Sequence, residues 1–133
     1  MVKDVILSGR LGQEVFYLHS TLLRIMAETI LPKWPKAELV VTSIHRTPAE
    51  NTAAGAKSEI HVVGPPYRAL DIRIRNLADT LEESQHACET FCTEVNNEWV
   101  YDPARPKMVV AYGQVHGSGP HAHIQCCSAT TRR

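Results

Sequence analysis

The stretch SEIHVVGPPYRALDIRI, residues 58–74, joins a histidine-containing turn to an alternating strand. In its last part, residues 69–74, apolar side chains alternate with Asp71 and Arg73. Because successive side chains of a strand point to opposite faces, this alternation predicts a half-buried strand. Asp71 would then share a face with Arg73 and Ala69, away from the apolar side. A carboxylate at the start of a strand, shortly after a Gly-Pro-Pro loop, is well placed to serve as a metal ligand.

A second informative stretch is HAHIQ, residues 121–125. Side chains two apart on a strand point to the same face, so His121 and His123 can address one centre. Together with His61 and Asp71, this stretch offers imidazole, carboxylate and imidazole, which is the ligand set of an open catalytic zinc site. The two stretches therefore predict a zinc centre.

Each of these residues also has an ordinary interpretation. A His-x-His pair on an edge strand is often simply solvated. Asp71 could be a surface carboxylate that pairs with Arg73 or Arg68, and His61 could be an exposed or hydrogen-bonded histidine. If all of these interpretations hold, the chain is a small metal-free fold.

The composition predicts a globular protein of one domain, residues 1–133. Hydrophobic residues make up 44% and charged residues 21% of the chain, which is ordinary globular usage. The 14 basic and 14 acidic residues balance, so no overall field recruits nucleic acid or an anionic membrane. Residues 5–7 are only a short apolar patch, and no signal-peptide core or membrane span follows. We therefore expect a chain that is soluble and cytoplasmic as synthesised.

The four cysteines allow two interpretations. Reduced thiols are the default without a secretion signal, and Cys88 and Cys92 lie four residues apart, as small buried side chains of a helix do. Alternatively, His86, Cys88, Cys92 and Cys126 could form a second metal site.

Local signals predict the first elements. Hydrophobic spacing indicates a helix over about 13–31, which Pro32 and Pro35 should end. Residues 39–43 form a short segment rich in β-branched side chains, which predicts a strand. Residues 47–50 form a Thr-Pro-Ala-Glu capping box, which predicts the start of a short helix.

The second half of the chain continues this mixed pattern. Asn76 is expected to cap a long helix, whose apolar stripe contains Leu77, Leu81, Cys88, Cys92, Val95 and Trp99. Residues 108–112 and 122–126 should be strands joined by a loop at 113–120. The chain has too few crossovers for a parallel barrel, so we expect an α+β domain with helices packed on one small antiparallel sheet.

Four short patterns occur in order along the chain: TSIHRT (42–47), SEIHVVG (58–64), RALDI (68–72) and HAH (121–123). In this order they resemble a clan of zinc proteins, and the resemblance spans about residues 39–125. The clan contains D-alanyl-D-alanine carboxypeptidases and dipeptidases, L-alanyl-D-glutamate endopeptidases of bacteria and phages, murein endopeptidases and the Hedgehog signalling domain.

This resemblance implies a Hedgehog/DD-peptidase-like fold and a role for each matching residue. His61, Asp71 and His123 would be the zinc ligands, His121 the general base, and Arg46 the residue that stabilises the polarised carbonyl or the oxyanion. The implied activity is that of a zinc carboxypeptidase or endopeptidase acting on peptidoglycan stem peptides or other peptides that contain D-amino acids. A phage-encoded enzyme released to the cell wall would also fit the resemblance.

The chain departs from the family pattern between the first two ligands. Nine residues separate His61 from Asp71, more than the family usually has, and residues 65–67 look like an insertion after Gly64. Such an insertion can bulge outward without moving either ligand. It could also rebuild the pocket wall with Tyr67.

Some roles have alternatives. His116 is a second candidate for the base, and His45 is expected at most to line the pocket. Trp99 and Tyr101 would either border a substrate groove or belong to the core. If His121 is turned away from the centre, the resemblance implies a non-catalytic domain in which zinc stabilises a binding or structural module, such as a virion component.

Overall fold

Five strands form a central sheet in the computed structural model, which describes residues 2, 4–56, 58–114 and 119–133. The strands of the described residues are β1 Asp4–Leu7, β2 Glu38–Ser43, β3 Ala69–Arg73, β4 Trp99–Val100, β5 Ala111–Gln114, β6 His121–Gln125 and β7 Thr131–Arg132. The α-helices are α1 Leu11–Glu14, α2 Ser20–Ile25, α3 Leu31–Lys33, α4 Pro48–Ala53 and α5 Leu81–Glu98.

The central sheet has the order β1-β2-β3-β6-β5, and β4 pairs with β7 separately. Strands β2, β3, β6 and β5 pair antiparallel, but β1 runs parallel to β2. The predicted α+β class is confirmed, whereas the prediction of an antiparallel sheet is wrong because the sheet is mixed. The sequence did not indicate β1, because residues 5–7 are three consecutive apolar residues without polar alternation. In the structure, Val5 and Ile6 are exposed on this edge strand.

The other four strands of the central sheet were predicted correctly in kind and displaced at their ends. Strands β4 and β7 were not predicted, and Trp99, expected in the stripe of the long helix, begins β4. The strand expected at 108–112 begins only at Ala111, since turns occupy the preceding residues and Met108 N–H donates to the Arg105 carbonyl. The strand expected at 122–126 is His121–Gln125. The candidate base His116 lies outside the described residues.

The single helix predicted over 13–31 is interrupted at Leu18, whose backbone is extended. Two backbone hydrogen bonds explain the break, because Tyr67 N–H donates to the Tyr17 carbonyl and His19 N–H donates to the Tyr67 carbonyl. The His19 side chain then caps α2 by accepting a hydrogen bond from Thr21 N–H. A residue distant in sequence therefore divides the helix.

The helical path continues through a π-helical turn, Met26–Ile30, and α3. Pro32 lies inside this last segment, so the expectation that it ends the helix is wrong. The path ends at Trp34, which is extended, as a residue before a proline prefers to be.

Helix α4 begins where the sequence predicted. Glu50 N–H donates to Thr47 Oγ1 (3.2 Å), and Thr47 N–H donates to Glu50 Oε1 (2.9 Å). Both halves of the capping box are therefore formed. Because Arg46 immediately precedes this cap, the helix start fixes the backbone that carries its side chain.

The long helix α5 begins later than predicted. Thr80, not Asn76, is its cap, and Thr80 Oγ1 accepts a hydrogen bond from Glu83 N–H. Leu77 is buried in the preceding loop, and Leu81 is 49% exposed, so neither belongs to a buried helical stripe. None of the described helices is long and apolar enough to cross a membrane.

One hydrophobic cluster connects the helices with the sheet. Trp34 packs edge-on against Phe91, with ring centroids 5.0 Å apart. Trp99 and Tyr101 are both buried, and Trp99 Nε1–H donates to Thr29 Oγ1 at 2.8 Å. These two aromatic residues belong to the core, and their alternative role at a groove is wrong.

Candidate metal centre

Strand register brings the candidate residues into two adjacent rows on one face of the sheet. Asp71 on β3 lies directly opposite His123 on β6, and Arg73 lies opposite His121. Directly paired residues point to the same face. The alternation read from the sequence therefore assigned these side chains to a common face correctly.

That face is covered rather than open. Residues 69–72 are all buried and only Arg73 of β3 is exposed. The prediction of a half-buried strand is wrong in this respect, because the connection between β2 and β3 folds back and places His61 and Arg46 over the carboxylate of Asp71.

His61 is held by its neighbours in this connection. Its Nδ1 lies 2.7 Å from the Ile44 carbonyl, and its own carbonyl accepts a hydrogen bond from Arg46 N–H at 2.8 Å. The side chain is only 4% exposed. Its Nε2 lies 3.2 Å from Asp71 Oδ1, so the ring is directed at the carboxylate from above the sheet.

The three expected ligands converge. His123 Nδ1 lies 3.0 Å from the same Asp71 Oδ1, and one ligand atom from each of His61, Asp71 and His123 lies within 4.8 Å of the other two. In a tetrahedral zinc site with metal–ligand distances of about 2.0–2.1 Å, ligand atoms lie about 3.3–3.4 Å apart. The buried group could therefore hold a metal ion with small adjustments.

The two histidines of the group face more hydrogen-bond acceptors than neutral imidazoles can satisfy. Both ring nitrogens of His61 face acceptors, the Ile44 carbonyl and Asp71. Both nitrogens of His123 also face acceptors, Gln125 Oε1 at 3.0 Å and Asp71. A neutral imidazole carries one N–H and cannot donate from both nitrogens. Each neutral ring can therefore satisfy one acceptor with its N–H, and a cation shared with the carboxylate of Asp71 would satisfy its other nitrogen.

Gln125 determines which nitrogen of His123 is free. Its Nε2–H donates to the Val109 carbonyl at 2.9 Å, which fixes the amide with Oε1 toward His123 Nε2. His123 then donates from Nε2 and presents Nδ1 to the centre. Metal-ligating histidines commonly donate their second nitrogen in this way. Sequence analysis assigned no role to Gln125, although its position two residues after His123 on a strand indicates the same face.

Asp71 is the electrostatic centre of the cluster. Burial opposes its ionisation, but hydrogen bonds from His123 and His61 and the positive charges of His61 and His121 outweigh burial and lower the pKa of Asp71. Arg46 Nη2 also donates to Asp71 Oδ2 at 2.9 Å. The alternative of a surface carboxylate paired with Arg73 or Arg68 is therefore wrong.

The expected catalytic pair lies beside the centre. His121 Nε2 is 3.5 Å from Asp71 Oδ2, and its Nδ1 is 2.9 Å from the Gly119 carbonyl. If Nδ1 donates to that carbonyl, Nε2 carries a lone pair that faces the centre. The His121 and Arg46 side chains are 18% and 17% exposed, so solvent reaches both.

An open cleft of about 520 Å³ adjoins the centre. Its lining includes Asp71, Arg46 and His121, together with Thr42 and Ser43 from the end of β2. The cleft therefore reaches one ligand and both expected catalytic side chains.

The insertion after Gly64 packs back on the molecule. A Cβ atom at Gly64 would overlap the Tyr67 ring, and this ring stacks on His45 with centroids 4.8 Å apart. His45 lines a second cleft of about 350 Å³ beside the first. His45 is not among the residues that line the cleft beside the metal centre, and Tyr67 lines neither of these two clefts.

Tyr112 is a further neighbour that the sequence did not indicate. It lies opposite His123 in the sheet, and the two rings are 4.7 Å apart with planes inclined by 35°. Burial and the negative charge of Asp71 raise the pKa of Tyr112. Tyr112 therefore favours its neutral form and packs against the His123 ring.

The cysteines form no second metal cluster among the described residues. Cys88 and Cys92 are buried, with their Sγ atoms 3.9 Å apart, whereas His86 is exposed on α5. The interpretation of these cysteines as small core side chains is confirmed.

Comparisons with protein-family models, with curated proteins and with solved structures find no match for this chain. The resemblance to the zinc clan therefore rests on the order of the four motifs. The convergence of His61, Asp71 and His123 is a separate observation about the molecule.

Proposed function

We propose that this protein is a zinc-dependent peptidase of Hedgehog/DD-peptidase-like fold. One observation carries the proposal: His61 and His123 each face acceptors on both ring nitrogens, and both converge on the buried Asp71. This donor set suits zinc, for which imidazole and carboxylate are common ligands. An open cleft beside it supports a catalytic rather than a purely structural centre.

Zinc bound by His61, Asp71 and His123 would supply a Lewis acid and lower the pKa of a water molecule to about 7. The protein would provide the remaining functions. Ile44 and Gln125 orient the two imidazoles through their outer nitrogens. This support holds the ligand atoms in place before a substrate arrives, which is the usual role of such outer contacts.

His121 is the proposed general base. Its Nε2 faces the centre while the Gly119 carbonyl holds the opposite side of the ring. A neutral imidazole so oriented can accept a proton from the attacking water and donate it to the leaving amine. Positioned acid–base groups of this kind typically contribute about 10²–10⁴-fold to rate.

Arg46 is the proposed electrostatic stabiliser. Its Nη2 donates to Asp71, and Nη1 lies 3.4 Å from Asn51 Oδ1. Asn51 is itself anchored by donating to the Ser58 carbonyl at 2.9 Å. A guanidinium held in this way at the edge of the cleft can face negative charge that develops on a substrate oxygen.

The proposed substrate is a peptidoglycan stem peptide or another short peptide with D-residues, as the motif resemblance implies. The adjoining cleft of about 520 Å³ has the volume of an ordinary ligand pocket. The reaction would then be carboxypeptidase or endopeptidase cleavage of a cell-wall peptide.

A second candidate is a non-catalytic domain in which zinc stabilises a binding or structural module, such as a virion or assembly component. One observation favours it: Arg46 and His121, although both line the cleft, each approach Asp71 Oδ2, at 2.9 and 3.5 Å. In such a domain they would only neutralise the buried carboxylate. The two candidates differ in whether peptide hydrolysis depends on His121.

The test combines elemental analysis with hydrolysis assays on muropeptides and D-containing dipeptides. Wild type and His86→Ala, which removes an exposed histidine of α5, should each carry about one zinc per chain. His123→Ala should carry none. His121→Ala should retain zinc and lose about 10²–10⁴-fold in kcat, and Arg46→Gln should lose about 3 kcal/mol of transition-state stabilisation.

Each outcome separates the candidates. Zinc that persists in His123→Ala would contradict the metal centre. Full hydrolysis by a zinc-loaded His121→Ala variant would contradict the role of the base. Zinc in the wild type without hydrolysis of any of these peptides would support the non-catalytic domain.

A further inference from the structure

The cleft beside the metal centre concentrates positive charge. Four guanidinium groups and two carboxylates line it, an excess of two positive charges, although the whole chain is balanced at 14 basic and 14 acidic residues. The charged lining residues are Arg10, Arg46, Arg73, Arg75, Glu50 and Asp71. A metal cation at the centre would increase the excess, so the cleft favours an anionic ligand.

Two of the four arginines are already neutralised. Arg46 pairs with Asp71 at 2.9 Å, and Arg10 pairs with Glu50 at 2.7 Å. Arg73 and Arg75, by contrast, form no side-chain hydrogen bond or ion pair with another described residue. The uncompensated charge of the cleft therefore belongs to these two residues.

Arg73 is placed at a defined distance from the centre. It follows Asp71 by two residues on β3 and points to the same face, opposite His121. Two residues of a strand span about 6–7 Å, which is also the span of about two residues of an extended peptide. A group that contacts Arg73 therefore lies one or two residues from a carbonyl at the centre.

The surroundings of Arg73 suit a bound anion. The two neighbouring clefts share four lining residues, Arg10, Thr42, Ser43 and Arg73, so Arg73 lies where the clefts meet. Arg75 follows in the turn after β3 and extends the same wall. Guanidinium groups present donors in a planar fork that matches a carboxylate.

We infer that Arg73 and Arg75 form a carboxylate-binding subsite, which selects peptides with a free carboxylate one or two residues from the scissile bond. This inference rests on the proposed peptidase function and assigns its substrate class. The carboxylate is either the C-terminal group of a short peptide or an acidic side group within it. Both sources present the same chemistry to the two arginines.

The test uses two matched pairs of peptides and zinc-loaded protein. D-Ala-D-Ala and its C-terminal amide report on a terminal carboxylate. L-Ala-D-Glu and L-Ala-D-Gln, both amidated at the C-terminus, report on a side group. Binding is measured by NMR titration of wild type, Arg73→Gln/Arg75→Gln and Lys107→Gln, and hydrolysis is followed in the same samples. Lys107→Gln is the control, because it removes one charge from an exposed turn outside the cleft lining.

Wild type and Lys107→Gln should bind the carboxylate member of one pair about tenfold more tightly than its neutral partner, and added salt should reduce the preference. The pair that shows it identifies the source of the carboxylate. Arg73→Gln/Arg75→Gln should lose the preference and raise KM about tenfold for that peptide, with kcat and zinc content unchanged.

Two results would overturn the inference: a wild type that prefers neither carboxylate peptide, or a double variant that keeps the wild-type preference. These results are distinguishable from failure of the proposed function. Hydrolysis without a carboxylate preference refutes the subsite alone. A preference that depends on the arginines, without hydrolysis of any peptide, refutes the peptidase and leaves an anion-binding cleft.

Discussion

Replacement of Gln125 by methionine should weaken zinc binding although this residue is not a proposed ligand. Gln125 Oε1 accepts from His123 Nε2 at 3.0 Å, while Gln125 Nε2 donates to the Val109 carbonyl at 2.9 Å. Methionine has similar length and removes both hydrogen-bonding groups. His123 would then lose the partner that keeps its proton on Nε2 and its Nδ1 free.

The expected loss follows from this geometry. Removing an outer partner of a metal-ligating histidine typically weakens binding 10–100-fold, which corresponds to about 1.4–2.8 kcal/mol. The metal-free protein should lose a further, separate contribution. Two hydrogen bonds disappear, and each contributes about 0.5–1.5 kcal/mol to folding.

A second variant, Gln125→Glu, separates the two effects. Its carboxylate can still accept from His123 Nε2, so zinc affinity should remain close to that of the wild type. It cannot donate to the Val109 carbonyl, so metal-free stability should also fall. Zinc affinity is measured by competition with a chelator, and stability by urea denaturation of the metal-free protein. A folded Gln125→Met variant with wild-type zinc affinity would refute the assigned role of Nδ1.

The remaining predictions concern the metal, the insertion and the helix cap. Removal of zinc with a chelator should lower Tm by about 10 °C relative to protein with free zinc at 100 times Kd, since that excess adds about 2.7 kcal/mol; His123→Ala should show no such difference in a calorimetric scan. Gly64→Ala should lower the free energy of unfolding by about 1–3 kcal/mol in urea denaturation, because the new Cβ would overlap the Tyr67 ring. In the Gly64→Ala/Tyr67→Ala double variant the two losses should not add, and simple additivity would contradict the contact. The hydrogen bond from the Thr47 backbone, followed by that from the Arg10 side chain, lowers the pKa of Glu50 to about 2, so the stability it contributes is present above its ordinary pKa of 4.5 and lost as pH falls through about 2. Glu50→Gln should therefore be less stable than wild type at pH 7, and thermal scans should show the difference disappearing near pH 2; a constant difference would contradict the ionised cap.

The sequence by itself determined features whose causes are local. The capping box at 47–50 formed as predicted because its two hydrogen bonds join residues three apart. The face shared by Asp71 and Arg73, and the face shared by His121 and His123, follow from the alternation of a strand. The hydrophobic spacing also predicted part of the buried stripe of α5. It did not predict the residue at which α5 begins, because Thr80 and Asn76 are both acceptable caps.

Only the tertiary structure decided how these pieces meet. The register between β3 and β6 brings together Asp71 and His123, which are 52 residues apart, and no local pattern encodes that pairing. Likewise, Tyr67 divides the first predicted helix through backbone hydrogen bonds. Hydrophobic periodicity cannot predict such bonds, because they do not depend on side chains. The types of the candidate ligands could thus be predicted from the sequence. The charge balance around Asp71 and the arrangement of the cleft arginines depend on long-range packing, because packing fixes both the burial of a side chain and its distance from its neighbours.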